Sequence, residues 1–160
     1  MKKFQKILIH NTFLTYLREI EEVEKGREYC LHDLNHLLDV ARYAYIKNLE
    51  EGYGLSQDVI YGAALLHDLG KVLQYREKIP HEITGAKECE GILLECGYEE
   101  KEIREIERAI LYHRKGDDPE ENPLSMLLYE ADKKTRLCLF CKKKDTCKWT
   151  AEDKNQTIIY

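Results

Sequence analysis

The residues of this sequence that are best suited to chemistry are histidines and aspartates at the ends or on the apolar faces of helical stretches. Four of the six histidines and two aspartates have this placement: His36, His67, Asp68, His81, His113 and Asp132. A single histidine on an apolar face is more often an ordinary core residue than a metal ligand. Six such groups together favour a metal site, because neutral imidazole and carboxylate are the ligands that iron, manganese and zinc accept.

The elements that must position these residues are predicted to be helices. Apolar residues recur at intervals of three and four through nearly the whole chain, and no segment keeps the period-two alternation of a strand. This pattern predicts an all-α fold. The six predicted helices are Phe4–Lys25 with a break near Asn11, Asp33–Glu51, Gln57–Leu69, His81–Cys96, Glu99–His113 and Leu124–Leu137. Residues 1–137 should form the helical domain, with residues 138–160, the C-terminal segment, packed on it or appended to it.

Length and composition indicate one globular domain. The chain has 160 residues, of which 43% are hydrophobic and 34% are charged. A domain of this size buries roughly 70% of the surface of its unfolded chain, so a core forms without disulfides. No apolar run approaches the ~20 residues that span a bilayer, and the apolar stretch near the N-terminus is too short for a signal peptide. We therefore expect a cytoplasmic protein without a membrane partner, either a monomer or a homodimer.

The sequence around the histidines and aspartates resembles the HD-domain superfamily of metal-dependent phosphohydrolases. The resemblance covers about residues 30–135 and rests on the motifs HLLDVARYA, AALLHDLGK, HEITGAKE, AILYHR and YEADK. The context ALLHDLGK followed by HEITGA is the specific part, because a bare His-Asp pair is common by chance. The resemblance implies a compact helical bundle in which one metal ion is bound by His36, His67, Asp68 and Asp132.

Two further histidines match the subset of this superfamily whose sites hold two metal ions. The resemblance implies that Asp68 bridges the ions and that His81 and His113 complete the second site. Two carboxylates and two divalent ions leave a net charge of about +2, which can hold a hydroxide and attract a phosphate group. Two ions can activate a water molecule and stabilise the leaving oxygen of a phosphoester. Iron and manganese are the expected metals, with zinc, nickel and magnesium as alternatives.

Polar residues near these motifs are further candidates for the site; they are Lys71, His32, Asp39, Arg42 and Arg114. Lys71 is placed to contact a substrate phosphate or a leaving oxygen, with a solvated surface lysine as the alternative. His32 and Asp39 lie four residues before and three residues after His36. Either residue could orient a ligand or contact substrate, although an ordinary polar surface position explains both equally well. The two arginines are candidate anion contacts.

The leading functional prediction is a hydrolase that cleaves a phosphomonoester, phosphodiester or phosphoanhydride in a small, nucleotide-type molecule. Asp68 and Lys71 would be its catalytic residues. A di-iron oxygenase is the first alternative, because some HD-domain proteins resemble this chain in their ligands yet oxidise a substrate with dioxygen. The second alternative is a non-catalytic module that binds a metal or a nucleotide. The acidic loop 115–123 joins the helices of His113 and Asp132, so we expect it to border the pocket with its acidic side chains in water.

The six cysteines fall into separate groups. Cys89 and Cys96 are predicted to be small core residues, because they share one face of a helix. Three others form the spacing C-x2-C-x5-C, which is not usual in the superfamily and suggests a structural zinc or iron–sulfur site. The candidate ligands are Cys138, Cys141 and Cys147, with Cys30 as the best fourth ligand and His32 or solvent as the other candidates. Reduced thiols in a flexible tail are the alternative.

Charge is unevenly distributed along the chain. The whole molecule carries a formal charge of -5, whereas residues 133–148 hold seven basic residues against one acidic residue. An acidic protein is not expected to bind nucleic acid, and a charge run is usually a solvated surface. The basic stretch could nevertheless attract an anionic partner, so nucleic acid stays open as a partner.

Overall fold

The computed structural model describes residues 1–160, which form eight α-helices, one 3₁₀ turn and no strand. The helices are α1 (Lys3–Ile7), α2 (Asn11–Val23), α3 (Leu34–Glu51), α4 (Gln57–Leu66), α5 (Lys71–Glu77), α6 (His81–Cys96), α7 (Glu100–Tyr112) and α8 (Pro123–Lys134); the 3₁₀ turn is Cys138–Phe140. The prediction of an all-α fold is confirmed. None of these helices combines the length and apolarity needed to cross a membrane.

Capping residues determine where the helices begin and end. The side chain of Asp33 accepts a hydrogen bond of 2.9 Å from the backbone N–H of His36, which starts α3. Ser56 caps α4 in the same way. Gly52 and Gly97 end α3 and α6 with φ values of 70° and 87°, in the left-handed region that glycine tolerates best. These caps place His36 in the first turn of its helix.

Helix α4 lies at the centre of the core. Its residues are apolar on nearly every side, and the buried ones include Ile60, Ala63, Ala64, Leu65 and Leu66. It packs against α1, α3, α6, α7 and α8. A helix that is apolar all round has to be surrounded by other elements. As a result, the residues directly after α4 emerge in the middle of the molecule.

Several helix bounds differ from the prediction. The predicted break near Asn11 is present, because His10 caps α2 there and divides the first predicted helix into α1 and α2; α2 ends at Val23 and not at Lys25. Helix α4 ends at Leu66 and not at Leu69, and α8 ends at Lys134 and not at Leu137. Helix α5 was not predicted. Its seven residues bury only Val72, so they show no apolar period.

The C-terminal segment lies against the helical domain although it contains no α-helix and no buried side chain. The amide of Asn155 donates hydrogen bonds of 2.8 Å to the carbonyl oxygens of Lys133 and Arg136. The hydroxyl of Tyr29 donates to the carbonyl oxygen of Thr146 at 3.0 Å. The segment is therefore held by scattered polar contacts rather than by a core of its own.

Candidate metal centre

The structure brings all six predicted ligands to one place in the domain. Each of them lies at or near the end of a helix: His36 in α3, His67 and Asp68 directly after α4, His81 at the start of α6, His113 directly after α7, and Asp132 in the last turn of α8. All of them are buried except Asp132, which is partly exposed. Helix packing in the core thus positions groups that are up to about a hundred residues apart in sequence.

The first group of ligand atoms surrounds a point between α3, α4 and α8. His36 Nε2 lies 3.2 Å from Asp132 Oδ1 and 3.6 Å from Asp68 Oδ2. His67 Nε2 lies 3.1 Å from Asp68 Oδ2 and 3.7 Å from Asp132 Oδ1. The separations among His36, His67 and Asp132 are those of side chains that could hold one metal ion.

The second group lies on the other side of Asp68. Asp68 Oδ1 is 3.7 Å from His81 Nε2, and His81 Nε2 is 3.1 Å from His113 Nε2. His67, Asp68 and His113 also lie close enough together to hold an ion. The two oxygens of Asp68 therefore face different histidines, Oδ2 toward the first group and Oδ1 toward the second.

In three histidine rings the nitrogen that faces away from the cluster, Nδ1, already forms a hydrogen bond. Nδ1 of His67 and of His113 donates to the carbonyl oxygen three residues earlier, at 2.7 Å and 2.6 Å. Nδ1 of His81 donates to the side-chain oxygen of Gln74 at 2.5 Å. These bonds place the ring proton on Nδ1 and leave the Nε2 lone pair facing the cluster, as in metal-binding histidines.

Two buried polar atoms in the cluster lack a hydrogen-bond partner, namely His67 Nε2 and Asp68 Oδ2. An unpartnered buried polar atom costs roughly 1–3 kcal/mol. The Nε2 lone pairs of His81 and His113 also face each other, which is unfavourable unless a cation lies between them. Divalent cations bound at the two groups would satisfy these four atoms, so the residues present fit a metal.

The pKa values agree with this donor set. Burial lowers the pKa of His36, of His81 (to about 2) and of His113 (to about 4), which keeps these rings neutral. At His67 burial is outweighed by the carboxylates of Asp68 and Asp132, which raise its pKa to about 10, so a proton occupies Nε2 until a cation displaces it. The resulting charge of His67 outweighs burial at Asp68 and holds the pKa of Asp68 well below its ordinary value. Asp132 is ionised as well, because hydrogen bonding to His36 and His67 outweighs burial and lowers its pKa. The cluster therefore offers ionised carboxylates and mainly neutral imidazoles.

Comparison with known proteins identifies the family that these ligand positions belong to. A family model described as HD domain matches residues 33–137, about two thirds of the chain. The chain belongs to the HD-domain family. An uncharacterized protein of Clostridium beijerinckii is 44% identical over 160 residues, which is 100% of both chains. No solved structure shows a significant match. HD domains are generally metal-dependent hydrolases, and the resemblance noted in the sequence is confirmed.

A cavity of about 430 Å³ opens onto the metal centre of this HD domain. Its lining includes the carboxylates of Asp68 and Asp132 and six cationic side chains, which are Arg27, Lys71, Arg114, Lys133, Arg136 and Lys148. Lys71 Nζ lies 3.8 Å from Asp68 Oδ1, and Lys133 Nζ lies 2.6 Å from Asp132 Oδ2. Such an excess of positive charge in a partly enclosed space attracts anions.

His32 lines the same cavity, but not in the way the sequence predicted. It precedes the N-cap residue of α3 and so does not share a helical face with His36. Its Nδ1 lies 2.5 Å from a carboxylate oxygen of Glu24, and that same oxygen accepts a hydrogen bond of 2.6 Å from the hydroxyl of Tyr75. These bonds outweigh burial and lower the pKa of Glu24 to about 2. A buried carboxylate therefore orients the ring of His32.

Several residues near the site were missed by the sequence analysis. Gln74, Glu24 and Tyr75 orient histidines from α5 and the end of α2, and nothing local in the sequence marks them. Arg136 donates a hydrogen bond of 3.0 Å to His36 Nε2. The only sequence pattern that could have identified Arg136 is its position four residues after Asp132, about one helical turn further along the chain.

Two of the candidate residues do not reach the site. Asp39 and Arg42 form an ion pair with each other at 3.2 Å, and both side chains are at least half exposed. Neither lines the cavity, because the buried face of α3 runs through His36, Leu37, Val40, Ala41 and Ala44. Arg114 does line it and pairs with Glu82 at 3.3 Å.

The expectation for loop 115–123 was wrong in two respects. The loop contributes no residue to the lining of the cavity. One of its acids, Asp118, is buried instead of facing water, because it pairs with the guanidinium of Arg108. That pairing lowers the pKa of Asp118 to about 2.

The cysteines occupy two environments. Cys89 and Cys96 are buried in the core. The other four, Cys30, Cys138, Cys141 and Cys147, are half-buried free thiols that line one cavity of about 390 Å³. This cavity adjoins the metal centre, since Tyr29, Arg136 and Trp149 line both. No three of the four sulfur atoms lie within 4.8 Å of one another, and a metal site here stays a prediction.

Proposed function

We propose that this HD-domain protein hydrolyses a phosphate ester or anhydride of a small molecule at a site with two metal ions. The observation that carries the proposal is the placement of Asp68. One of its oxygens faces His36 and His67, whereas the other faces His81. A carboxylate with histidines on both sides is suited to bridging two ions.

The residues that would hold the ions divide into two sets. His36, His67 and Asp132 would hold the first ion and His81 and His113 the second, with Asp68 shared between them. Bound divalent ions would supply an activated water molecule and positive charge for the leaving oxygen. The backbone carbonyls and Gln74 keep the histidine rings in position, so little reorganisation is needed when metal binds.

The shape and charge of the cavity support a phosphorylated substrate. A volume of about 430 Å³ is in the range of small-molecule sites. Lys71, Arg136 and Lys148 can donate hydrogen bonds to phosphate oxygens, and an arginine can do so with two parallel N–H groups. Tyr29 and Trp149 provide aromatic surface in the same cavity. Phosphate-binding cations beside aromatic rings favour a nucleotide-type molecule.

Lys71 is the cation best placed to act during the reaction. Its side chain is mostly buried, and its amino group lies 3.8 Å from Asp68 Oδ1. Burial lowers its pKa, while the nearby carboxylates counteract that effect. A protonated Lys71 would hold a phosphate oxygen beside Asp68 and donate a hydrogen bond to the oxygen that leaves.

The test is phosphate release by protein loaded with manganese under strict anaerobiosis. The panel would contain p-nitrophenyl phosphate, its bis ester, and nucleoside mono-, di- and triphosphates. Asp68→Asn should lower the rate on any accepted substrate by at least about 100-fold, in the range for the loss of one group that stabilises the transition state. Asp117→Asn is the matched control, because Asp117 is exposed and lines neither this cavity nor the adjoining cysteine cavity.

Two results would contradict the proposal. The first is an Asp68→Asn variant as active as the wild type. The second is substrate turnover only in air, with oxygen consumed and a C–H bond lost. That outcome would assign the same ligands to a di-iron oxygenase.

A further inference from the structure

The pattern of burial in the C-terminal segment points to its cysteines. Between residues 138 and 150 only the three cysteines and Trp149 are half-buried, and every other side chain is exposed. All three cysteines line the same cavity as Cys30. Four thiols from two distant parts of the sequence therefore share one space, and the charged residues between the three cysteines are exposed, although Lys144 also lines the cavity.

The segment lacks the means to fold by burial alone. It has no buried side chain and no α-helix, only one 3₁₀ turn at Cys138–Phe140. Its contacts with the domain are scattered hydrogen bonds, many of them exposed, and such contacts contribute little. Ordering a chain of this length costs conformational entropy at every residue. A bound metal would offset that cost, because metal binding in small sites contributes directly to folding.

The local backbone suits metal binding by cysteines. The carbonyl of Cys138 accepts a hydrogen bond from the N–H of Cys141 at 3.1 Å, and the carbonyl of Cys141 accepts one from Lys144 at 3.2 Å. These two tight turns hold the C-x2-C pair on one side of the chain. Spacings of two to four residues between paired cysteines are typical of structural zinc sites.

The charge of the surroundings also favours such a site. Four thiolates around one Zn²⁺ carry a net charge of about −2. Residues 133–148 hold seven basic side chains against one acidic side chain, and Lys144 and Arg136 line the cavity itself. Burial raises the pKa of the Cys30 thiol, and the charge of Arg136 opposes that effect. The basic stretch thus compensates the charge of the site.

We propose that Cys30, Cys138, Cys141 and Cys147 bind one structural zinc ion, which fastens the C-terminal segment beside the metal centre. Zinc accepts four thiolates in a closed tetrahedral site with Zn–S distances of roughly 2.3 Å. Because no three of the four sulfur atoms lie within 4.8 Å of one another, binding requires these residues to move closer together across the cavity that they line. This ion is separate from those of the metal centre and does not depend on the proposed reaction.

The zinc site has a consequence for the cavity of the metal centre. Cys147 is followed directly by Lys148 and Trp149, and all three residues line that cavity. Fixing Cys147 to Cys30 therefore fixes a cation and an indole ring in the lining of the cavity that the proposed function assigns to substrate. Loss of zinc should weaken substrate binding more than it changes the chemical step.

The experiment is element analysis of the full chain for the wild type and for Cys30→Ser, Cys138→Ser, Cys141→Ser and Cys147→Ser. Cys96→Ser is the matched control, because Cys96 is buried in the core outside the cavity. His67→Ala separates the two sites, since it should empty the metal centre and leave the zinc in place. We expect one zinc per chain in the wild type, the control and His67→Ala, and none in the four cavity variants.

A measurement on the wild type keeps the test valid if the variants fold poorly. Titration with an organomercurial should release zinc in step with modification of four thiols, and cobalt in place of zinc should show the absorption of a tetrahedral thiolate complex. Zinc content unchanged by the four substitutions, or a disulfide between two of these cysteines in protein purified under reducing conditions, overturns the proposal. Iron with inorganic sulfide lost in the same four variants also overturns it, because the site would then hold an iron–sulfur cluster.

Discussion

Replacing Gly70 with alanine should separate the two halves of the metal centre. Gly70 has φ −69° and ψ −7°, a conformation that alanine adopts freely. The obstacle is packing, because a Cβ atom there would lie 2.1 Å from the carbonyl oxygen of His81 and 2.2 Å from Thr84 Oγ1. The start of α6 rests directly against Gly70, two residues after Asp68.

The size of the movement follows from these distances. Real Cβ atoms essentially never approach closer than 3.0 Å, so His81 and Gly70 must move apart by roughly 1 Å. Metal–ligand distances tolerate deviations of about 0.2 Å. His81 should therefore lose its place beside Asp68, while His36, His67 and Asp132 keep theirs. Overpacking of this kind destabilises a fold by about 1–3 kcal/mol.

The assay is the count of bound manganese per chain, together with urea unfolding and phosphate release. Gly70→Ala should bind one ion instead of two, unfold at lower urea and lose activity. Gly91→Ala, within α6, is the matched control, since nothing lies within 4 Å of its Cβ; it should keep both ions and gain about 0.5–1 kcal/mol of stability. A Gly70→Ala variant with wild-type metal content and activity would refute the reasoning.

Three further predictions concern residues around the site. Gln74→Leu removes the acceptor that orients His81 and should weaken metal binding or activity about 10- to 100-fold, measured by manganese titration. Glu24 has a folded pKa of about 2, below its ordinary 4.5, so its charge stabilises the fold above pH 4.5 and that contribution is lost as pH falls toward 2. Glu24→Gln should accordingly flatten the acid dependence of urea unfolding and lower stability at pH 7 by up to about 3 kcal/mol; equal slopes for both proteins would contradict this. Lys148→Ala should raise KM about 2- to 5-fold with little change in kcat, as for one exposed ion pair, whereas Lys142→Ala, outside the cavity, should change neither.

The sequence predicted the fold, and it predicted which histidines and aspartates lie together in the candidate metal centre, for identifiable physical reasons. The apolar period of α7 is regular, and α4 is a continuous apolar stretch between a capping serine and a glycine, so both helices can be recognised from the sequence alone. His67, His81 and His113 lie at helix ends, where glycine, proline and capping residues mark the boundaries. That these ends meet in space came from the motif contexts, because periodicity alone does not specify how helices are arranged.

The residues that escaped prediction depend on contacts that are distant in sequence. Helix α5 has a single buried residue, so it carries no apolar pattern. Gln74 lies in this helix and was therefore not predicted either. The fit of Gly70 against His81 is likewise a property of two packed helices. Asp118 sits in a polar stretch that is typical of a solvated loop, and only the position of Arg108 on α7 accounts for its burial. Such pairings leave no local signal.

The most direct test of the central claim is the number of metal ions bound when manganese is titrated into the wild type, His81→Ala and Asp68→Asn. Two ions, one ion and no tightly bound ion, respectively, are the results expected if Asp68 is shared between two metal positions. One ion in the wild type that survives in His81→Ala and in Asp68→Asn would contradict the two-metal site and the hydrolytic mechanism built on it.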